Sequence, residues 1–207
     1  MSYWDHRKPM QRARAVDVEA IARESVGLLD AGGLRALTVR AVAARLGVAP
    51  ASLYSRLNSA DDLFDLALDQ ALTDDEYVQR GMGEMGIQDL MLAFHRHLLR
   101  HPWACQVIGF HAPRGPSYLR LSERMCSLLA DVNVPDPLST SYALSNFVIG
   151  SATTTPVSDD ERSRPVDASI APLYGKLHAE HVDSAHQIVA TGLAALLHHG
   201  FTMQPDS

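Results

Sequence analysis

The 207-residue sequence contains only two cysteines, Cys105 and Cys126, and only two lysines beside sixteen arginines. Two thiols provide neither a disulfide framework nor a tetrahedral thiolate zinc site. No apolar run approaches the roughly 20 residues that cross a bilayer, and the N-terminus lacks the apolar core of a secretion signal. The sequence therefore predicts a cytoplasmic protein without a membrane-spanning segment, whose two cysteines are partly buried thiols.

The sequence also lacks the patterns that indicate catalysis or metal binding. It has no nucleophile elbow, no phosphate loop and no paired acidic cluster. Two histidine pairs lie at helical spacing, His97 with His101 and His178 with His181, but a pair of imidazoles alone makes a poor metal site. Exposed or hydrogen-bonded histidines are the expected outcome, although a ligand that carries its own metal could use one pair. We expect no enzyme, no cofactor and no metal site.

The charges that are present divide unevenly along the chain. The net charge is −6 overall, yet residues 1–60 carry nine basic and five acidic side chains, a local net charge of +4. Such asymmetry indicates a basic module that faces a polyanion and an acidic module with another task. Uneven decoration of the surface is the alternative interpretation.

Apolar residues recur at helical spacing through most of the chain, and no alternation typical of strands is visible. We therefore predict an all-α fold. The connections at 73–86 and 155–172 are predicted to be loops, the first of them mobile. The predicted helices cover residues 17–32, 38–46, 50–57, 63–71, 87–101, about 121–134, 138–155 and 173–199.

The first of these loops contains Gly81-Met82-Gly83-Glu84-Met85-Gly86, which matches the dinucleotide-binding fingerprint letter for letter. That fingerprint binds phosphate only where a strand precedes it and a helix begins within it. Here a predicted helix precedes it and no strand is visible. A flexible linker is therefore the expected structure, and nucleotide binding is the rejected alternative.

Two short predicted helices, 38–46 and 50–57, are joined by a tight turn at Gly47. This arrangement is a helix-turn-helix, in which the second helix enters the major groove of DNA. Val42, Leu46 and Leu53 can bury against the first helix, which leaves a small, polar outer face. The alternative is an ordinary helical hairpin inside a bundle. The residues predicted to face outward are Arg40, Ala51, Ser52, Tyr54, Ser55 and Arg56.

The same region resembles the TetR/AcrR family of transcriptional regulators. The resemblance covers residues 17 to about 72 and rests on AGG at 31–33, LTVR at 37–40, VAARLGVA at 42–49, LY at 53–54 and SADDL at 59–63. HPWA at 101–104, with the Gly-Pro pair at 115–116, looks like the regulatory domain of the tetracycline-repressor subgroup. The resemblance implies an N-terminal reader of DNA and a larger C-terminal ligand-binding and dimerisation domain.

Carried over by position, the resemblance implies particular DNA contacts. The family commonly has Lys where this chain has Ala60, so one phosphate contact is in doubt, and Arg56 is expected to replace the charge. Basic residues before the first helix form an arm along the DNA or a merely solvated terminus. The implied contacts are Thr38 and Tyr54 on phosphates, and Arg40, Ala51 and Ser52 against base edges. The implied domains are a basic arm at 1–16, the reader at 17–72 and the ligand-binding domain at 73–207.

The C-terminal helices carry ring-bearing and polar side chains among apolar neighbours, as a small-molecule site requires. Any one of these residues could instead be packed core. The residues predicted to bind the effector are Phe94, His97, Trp103, Phe110, His111, Met125, Tyr142, Asn146 and His178.

The complete hypothesis is a ligand-responsive repressor that binds a palindromic double-stranded operator as a homodimer. Helices 138–155 and 173–199 are predicted to form the dimer interface, because their small residues permit close approach. The alternative is a small-molecule-binding or catalytic α-helical protein that does not bind DNA. The interface residues are predicted to be Ala143, Gly150, Ile188, Ala190, Gly192, Leu193, Ala194 and Leu196.

Overall fold

A computed structural model describes residues 2–6, 16–161, 164–182 and 184–200, without the side chains of 158–161, 199 and 200. Within these residues all regular structure is helical, which confirms the all-α prediction. Most of the predicted basic arm, including Arg7, Lys8, Arg12 and Arg14, lies outside the described residues. The helices are α1 Val18–Gly32, α2 Val39–Arg45, α3 Pro50–Leu53, α4 Asp62–Thr73, α5 Glu76–Glu84, α6 Ile87–Arg100, α7 Pro102–Phe110, α8 Pro116–Asp131, α9 Pro137–Glu161, α10 Pro172–Glu180 and α11 Ala185–Gly200.

The first helices begin and end where their local signals predict. The side chain of Asp17 accepts a hydrogen bond from the Glu19 amide and caps α1. Thr38 caps α2 in the same way, with its Oγ1 accepting from the Ala41 amide at 3.1 Å. Gly33 and Gly47 have positive φ angles of 66° and 64°, which favour glycine after a helix. These stops give α2 and α3 the tight turn of a helix-turn-helix.

The N-terminal helices bury one apolar core. α1 lies along α4, α2 packs on α1, and α3 packs on α2. Ile21, Leu53, Leu57 and Leu63 are fully buried there. Burial of each such side chain stabilises the fold by about 1.5–3 kcal/mol, so the positions of α2 and α3 are set by side chains on their inner faces.

The C-terminal helices surround α9, which packs against α6, α7, α8 and α11. Leu144 and Val148 of α9 are fully buried, as are Leu90 and Leu98 of α6. α5 packs along α6, and α4 reaches both halves through its contacts with α1 and α8. α4 therefore connects the N-terminal helices with the rest of the chain, and α1 adds a second connection through its contacts with α7.

The prediction of a mobile connection at 73–86 is wrong. This segment forms α5, which Asp75 begins by accepting hydrogen bonds from the Tyr77 and Val78 amides at 3.2 Å. Gly81 is buried, and a Cβ there would lie 3.0 Å from the Sδ of Met85 and 3.3 Å from Leu90. The glycine therefore permits close packing of α5 on α6, because it has no side chain to hold them apart.

The second predicted loop begins later than expected, because α9 continues through Pro156 to Glu161. An internal proline removes one helical hydrogen bond, but the tertiary packing of α9 outweighs that loss. The predicted helix at 173–199 is in fact two helices. Ser184 and Gln187 form a capping box at the start of α11, where Gln187 Oε1 accepts from the Ser184 amide at 2.9 Å.

The chain also contains a helix that the sequence interpretation omitted, and another that is shorter than predicted. Pro102 ends α6 as expected but then occupies the first turn of α7, a position that proline favours. α3 ends as an α-helix at Leu53, four residues before the predicted end at Leu57. The chain from Tyr54 to Leu57 continues as turns, with the Leu57 amide bound to the Leu53 carbonyl.

Two residues predicted for the dimer interface lie inside the protomer. Leu193 is fully buried in the core. A Cβ at Gly192 would overlap the ring of Phe147, so this glycine permits packing between α11 and α9 of the same chain. Other predicted interface residues are exposed, namely Ala143, Gly150, Ile188 and Ala194.

Candidate functional sites

The outer face of α3 and the turns after it form the first candidate site. Ala51 and Ser52 are exposed on α3, and Tyr54, which is 49% exposed, and Ser55 follow on the same surface. Leu53 and Leu57, which are four residues apart, face the core and are fully buried. Ser55 Oγ donates to the Ser52 carbonyl at 2.7 Å, which stabilises the first turn after the helix. A small polar face on a firmly held helix suits insertion into a groove of DNA.

The start of α2 lies beside this face. Thr38 and Arg40 are both exposed, whereas Val39 between them is buried. Because Val39 faces the core, its neighbour Arg40 lies on the outer side of the first turn of α2. The first amide groups of a helix lack partners within it and attract anions, so this end of α2 suits a phosphate. The structure thus places Thr38, Arg40, Ala51, Ser52, Tyr54 and Ser55 at the surface, as the sequence predicts.

Arg56 departs from the prediction that it faces outward. Only 5% of the residue is exposed, and its Nε donates to the Val16 carbonyl at 3.0 Å. The guanidinium therefore joins the turn after α3 to the residue before α1. Since it lies inside the fold, it does not stand in for the missing lysine at Ala60 as expected.

The turn between α3 and α4 is held by carboxylates of α4. Asp62 Oδ2 accepts from the Asn58 amide at 2.6 Å and from the Ser59 amide at 3.4 Å. The Asp62 carboxylate thus holds the turn at the start of α4, which itself begins at Asp62. Asp65 accepts from the Ser2 hydroxyl and the Tyr3 amide, which fixes the N-terminal turn on α4. Asp62 and Asp65 are nearly fully buried.

The second candidate site is a cavity of about 350 Å³ in the C-terminal half. Most of its wall comes from α8 and α9, which are joined by the short segment after Asp131. The wall is mainly apolar, with hydroxyl and amide groups on the α9 side, and its volume suits a small organic molecule. The lining residues are Phe94, Ile108, Ala112, Pro113, Arg114, Tyr118, Leu119, Leu121, Ser122, Met125, Cys126, Leu138, Ser141, Tyr142, Ser145, Asn146 and Ile149.

Four of the residues predicted to bind the effector line this cavity: Phe94, Met125, Tyr142 and Asn146. The other five, which the structure places elsewhere, are His97, Trp103, Phe110, His111 and His178. Phe110 is 73% exposed at the end of α7, and the partly buried His111 follows it. His178 lies on α10 beside Tyr174, at 5.5 Å between ring centroids. The sequence pattern therefore identified four of the seventeen residues that line the cavity.

His97 belongs to a buried polar cluster behind Phe94. Its Nδ1 lies 2.9 Å from Asp75 Oδ2, and Arg100 pairs with the same oxygen. Burial by itself would raise the pKa of Asp75, but hydrogen bonds from His97 and Arg100 outweigh it and hold that pKa well below its ordinary value. Burial lowers the pKa of His97, so the neutral ring donates through Nδ1–H to Asp75. The cluster fixes the start of α5 against α6.

Trp103 joins the two halves of the chain instead of lining the cavity. Its Nε1 donates to Asp30 Oδ1 at 2.6 Å, and His101 Nδ1 lies 2.7 Å from the same oxygen. Asp30 lies near the end of α1, whereas Trp103 lies in the first turn of α7. The HPWA tract is therefore a contact between the N-terminal helices and the rest of the protein.

Several cavity residues escaped the sequence interpretation. Tyr118, Ser122 and Met125 lie at positions i, i+4 and i+7 of α8 and so share one face of that helix. Of these only Met125 was predicted, although the spacing could have identified all three. Arg114 was missed because it lies in the loop before α8, where periodicity carries no signal, whereas Ser141 lies on α9 four residues before Ser145 and could have been identified by that spacing.

Within the described residues, no group of three or more histidine, cysteine, aspartate or glutamate side chains is arranged to hold a metal ion. Cys105 is buried and Cys126 partly buried, both as free thiols, which agrees with the expectation for them. No helix in the described part of the chain is long and apolar enough to span a membrane.

Comparisons with known proteins match both halves of the chain to domains of one family. Residues 21–67 match the family described as bacterial regulatory proteins, tetR family, and residues 87–177 match the tetracyclin repressor-like C-terminal domain. The chain is 32% identical over 199 residues to an HTH-type transcriptional regulator of Saccharopolyspora erythraea, covering 86% of this chain and 84% of that protein.

Two further relatives have more specific names. The chain is 30% identical to the HTH-type transcriptional repressor DrrR1 of Streptomyces coeruleorubidus, over 72% of this chain and 58% of that protein. The crystal structure of the Streptomyces coelicolor TetR family protein ActR in complex with (S)-DNPA superposes with a TM-score of 0.73 at 25% identity. That match covers 90% of this chain and 97% of ActR. With its N-terminal helix-turn-helix and its cavity-bearing C-terminal helices, the chain belongs to the TetR family of ligand-responsive, DNA-binding transcriptional regulators.

Proposed function

We propose that the chain is a cytoplasmic repressor, not an enzyme, which binds a palindromic operator as a homodimer and leaves it when a small molecule fills the α8–α9 cavity. The observation that carries this proposal is the exposed surface of Ala51 and Ser52 on α3 and of Tyr54 and Ser55 in the turns after it, opposite the fully buried Leu53 and Leu57. In the proposed division of the chain, residues 17–72 read DNA and residues 73–207 bind the effector and the second protomer. Residues 1–16 form an arm beside the reader.

The proposed DNA contacts divide into two kinds. Thr38 and Tyr54 bind phosphates through their hydroxyl groups, and these contacts position the reader on any duplex. Arg40, Ala51 and Ser52 lie against base edges, where a guanidinium suits the two acceptors of guanine. Ser55 lies at the edge of this surface, while the buried Arg56 supports it from behind.

The proposed dimer forms through the outer faces of α9 and α11. Ala143 and Gly150 on α9 and Ala194 on α11 are exposed, and the space around Gly150 is open. Small side chains allow two helices to approach closely, and Ile188, which is half exposed, adds apolar area. Dimers are typical of the family. A two-fold dimer presents two reading helices, which is why the operator is expected to be an inverted repeat.

The proposed effector is a largely apolar molecule with a few hydrogen-bonding groups. Phe94, Met125 and Ile149 supply apolar surface, while Ser145 and Asn146 of α9 supply polar groups on one side. ActR, which has the same fold, is named with a bound small molecule, (S)-DNPA. The repressor DrrR1 supports repression as the outcome of operator binding by this chain.

The experiment is a binding-site selection from random double-stranded DNA with the full-length protein, followed by a band shift with the selected duplex, called the operator probe below. We expect an inverted repeat, bound with higher affinity than a scrambled duplex. Arg40→Ala should reduce this preference, and Arg35→Ala is the matched control because Arg35 is an exposed arginine outside α2 and α3. A protein that selects no sequence is instead a small-molecule-binding protein without DNA binding.

A further inference from the structure

The first turn of α8 is capped by a residue from a different helix. α8 begins at Pro116, and no side chain at its own N-cap, Gly115, binds its amides. Asp69 of α4 does so instead: its Oδ1 accepts from the Ser117 amide at 2.8 Å and from the Tyr118 amide at 3.3 Å. A carboxylate is stabilised at this end of a helix, because the first amide groups have no partner inside it.

This contact is tight and closed to solvent. Asp69 is only 6% exposed, and burial raises its pKa, although the hydrogen bonds from Ser117 and Tyr118 act in the opposite direction. The hydroxyls of Thr73 and Ser117 lie 2.6 Å apart beside it. A Cβ at Gly115 would overlap the Asp69 carboxylate, so only glycine fits before α8. α4 and α8 therefore meet through a junction that tolerates little relative movement.

The junction lies between the two candidate sites. Beyond it, α8 presents Tyr118, Ser122 and Met125 to the cavity. In the other direction, α4 runs back to Asp62, which holds the Asn58 amide just after α3. Asp62 and Asp69 lie seven residues apart, two turns or about 10 Å along one helix. A shift of α8 can thus reach the turn after the reading helix through a single rigid element.

The geometry points to Asp69 as the positioning residue that couples the contents of the cavity to the DNA-reading helix, an inference that rests on the proposed function. A ligand that displaces the start of α8 moves the Asp69 carboxylate and therefore α4. The other junction, at Asp30, has no donor in the cavity wall, whereas Tyr118, which donates to Asp69, lines the cavity. The donors to Asp30, His101 and Trp103, lie at the end of α6 and the start of α7, and neither lines the cavity.

A double-mutant cycle on the operator probe tests the junction without an identified ligand. The variants are Asp69→Ala, Gly115→Ala and the two together, each checked for helical content and oligomeric mass. Gly109→Ala is the control, because the space around this α7 glycine is open. Asp69→Asn is the conservative variant, since its Oδ1 can still accept from both amides.

Each single variant of the junction should weaken binding to the operator probe about tenfold. The double variant should also lose about tenfold and not a hundredfold, because residues that act through one contact give non-additive effects. Gly109→Ala and Asp69→Asn should stay within threefold of the wild type. Where Asp69→Ala does not fold, Gly115→Ala alone decides, since it disturbs the same contact from the other side.

A substitution that fills the cavity tests whether a change there reaches the DNA-reading helix through Asp69. Ser145→Phe places a ring in the cavity from α9, opposite α8. It should weaken operator binding about fivefold in the wild-type background and less than twofold in the Asp69→Ala background.

Three results would overturn the inference: single variants that bind within twofold of the wild type, additive losses in the cycle, or an equal effect of Ser145→Phe in both backgrounds. A wild-type protein that selects no duplex is a different failure, since it overturns the proposed function.

Discussion

The indole Nε1 of Trp103 donates a 2.6 Å hydrogen bond to Asp30 Oδ1 and so joins the first turn of α7 to the end of α1. Trp103 is almost fully buried, so this donor has no alternative partner in water. His101 binds the same carboxylate oxygen. The N-terminal helices and the cavity-bearing helices are therefore held together by a specific polar contact in addition to apolar packing.

Trp103→Phe should lower the free energy of unfolding by about 1–3 kcal/mol, because it removes the donor to Asp30 and part of a buried ring. Urea denaturation followed by circular dichroism measures this change. Phe110→Leu is the control, with a change within about 0.5 kcal/mol, because Phe110 is largely exposed. Equal stabilities of the Trp103 variant and the wild type would show that the contact with Asp30 contributes nothing.

Arg56→Ala and Arg40→Ala form a matched pair that distinguishes an arginine that stabilises the fold from one that contacts DNA. Arg56→Ala should destabilise the protein by about 1–3 kcal/mol, since it removes a buried side chain together with its hydrogen bond to the Val16 carbonyl. Arg40→Ala should leave stability within about 0.5 kcal/mol, since Arg40 is exposed. Thermal unfolding of both variants checks this, and a stable Arg56→Ala protein would contradict the assigned support.

Ala60→Lys should strengthen binding to all duplexes and make the dependence of log K on log salt concentration steeper by about one unit for each protomer on DNA. Ala60 is exposed in the turn after α3, where an added ammonium group can reach a phosphate. Titrations of the operator probe at several salt concentrations measure the slope. An unchanged slope would mean that this turn does not approach the backbone.

Stability should fall as the pH is lowered from 7 to 5. The pKa of the buried His97 is below its ordinary value, so the folded protein binds fewer protons than the unfolded chain, and acidification favours unfolding. One such histidine contributes a slope of up to about 1.4 kcal/mol per pH unit. His97→Gln, which can still donate to Asp75, should reduce the slope measured by urea denaturation between pH 5 and 6. An identical slope would contradict the assignment of a neutral His97.

A second loss of stability should follow below about pH 4, where Asp75 becomes protonated in the unfolded chain. The folded protein holds the Asp75 pKa well below its ordinary value, so the stabilisation by His97 and Arg100 is present above that range and is lost as the pH falls. Asp75→Asn should lose less stability than the wild type between pH 5 and pH 3 in urea denaturation, because the other hydrogen-bonded carboxylates still titrate. An equal loss in both proteins would contradict the role of Asp75.

Local signals in the sequence were sufficient for the N-terminal helices but not for the whole chain. Asp17, Thr38 and the two glycines with positive φ act within a few residues, so their roles could be recognised from the sequence. The helix α5 was missed because its three glycines have low helix propensity and favour a loop. Tertiary packing offsets this cost, but the contact of Gly81 with Leu90 of α6 cannot be recognised from one sequence.

The candidate sites show the same division between local and tertiary information. The outward face of α3 could be predicted because Leu53 and Leu57 lie four residues apart and mark the buried side. The burial of Arg56 depends on Val16, forty residues away, and the cavity depends on how α8 faces α9. Contacts between segments that are distant in the sequence determine which polar side chains a ligand can reach. The periodicity of apolar residues carries no information about such contacts.

A chemical footprint of the wild-type protein and of Arg40→Ala on the operator probe tests directly whether the exposed surface of α2 and α3 reads a palindromic operator. We expect two symmetric protected half-sites whose centres lie one helical turn, about 10 base pairs, or a multiple of it apart. Arg40→Ala should lose protection at one base in each half-site while the phosphate contacts persist. A single asymmetric footprint, or an unchanged pattern in Arg40→Ala, would contradict the assignment of this surface as the reader of a palindromic operator.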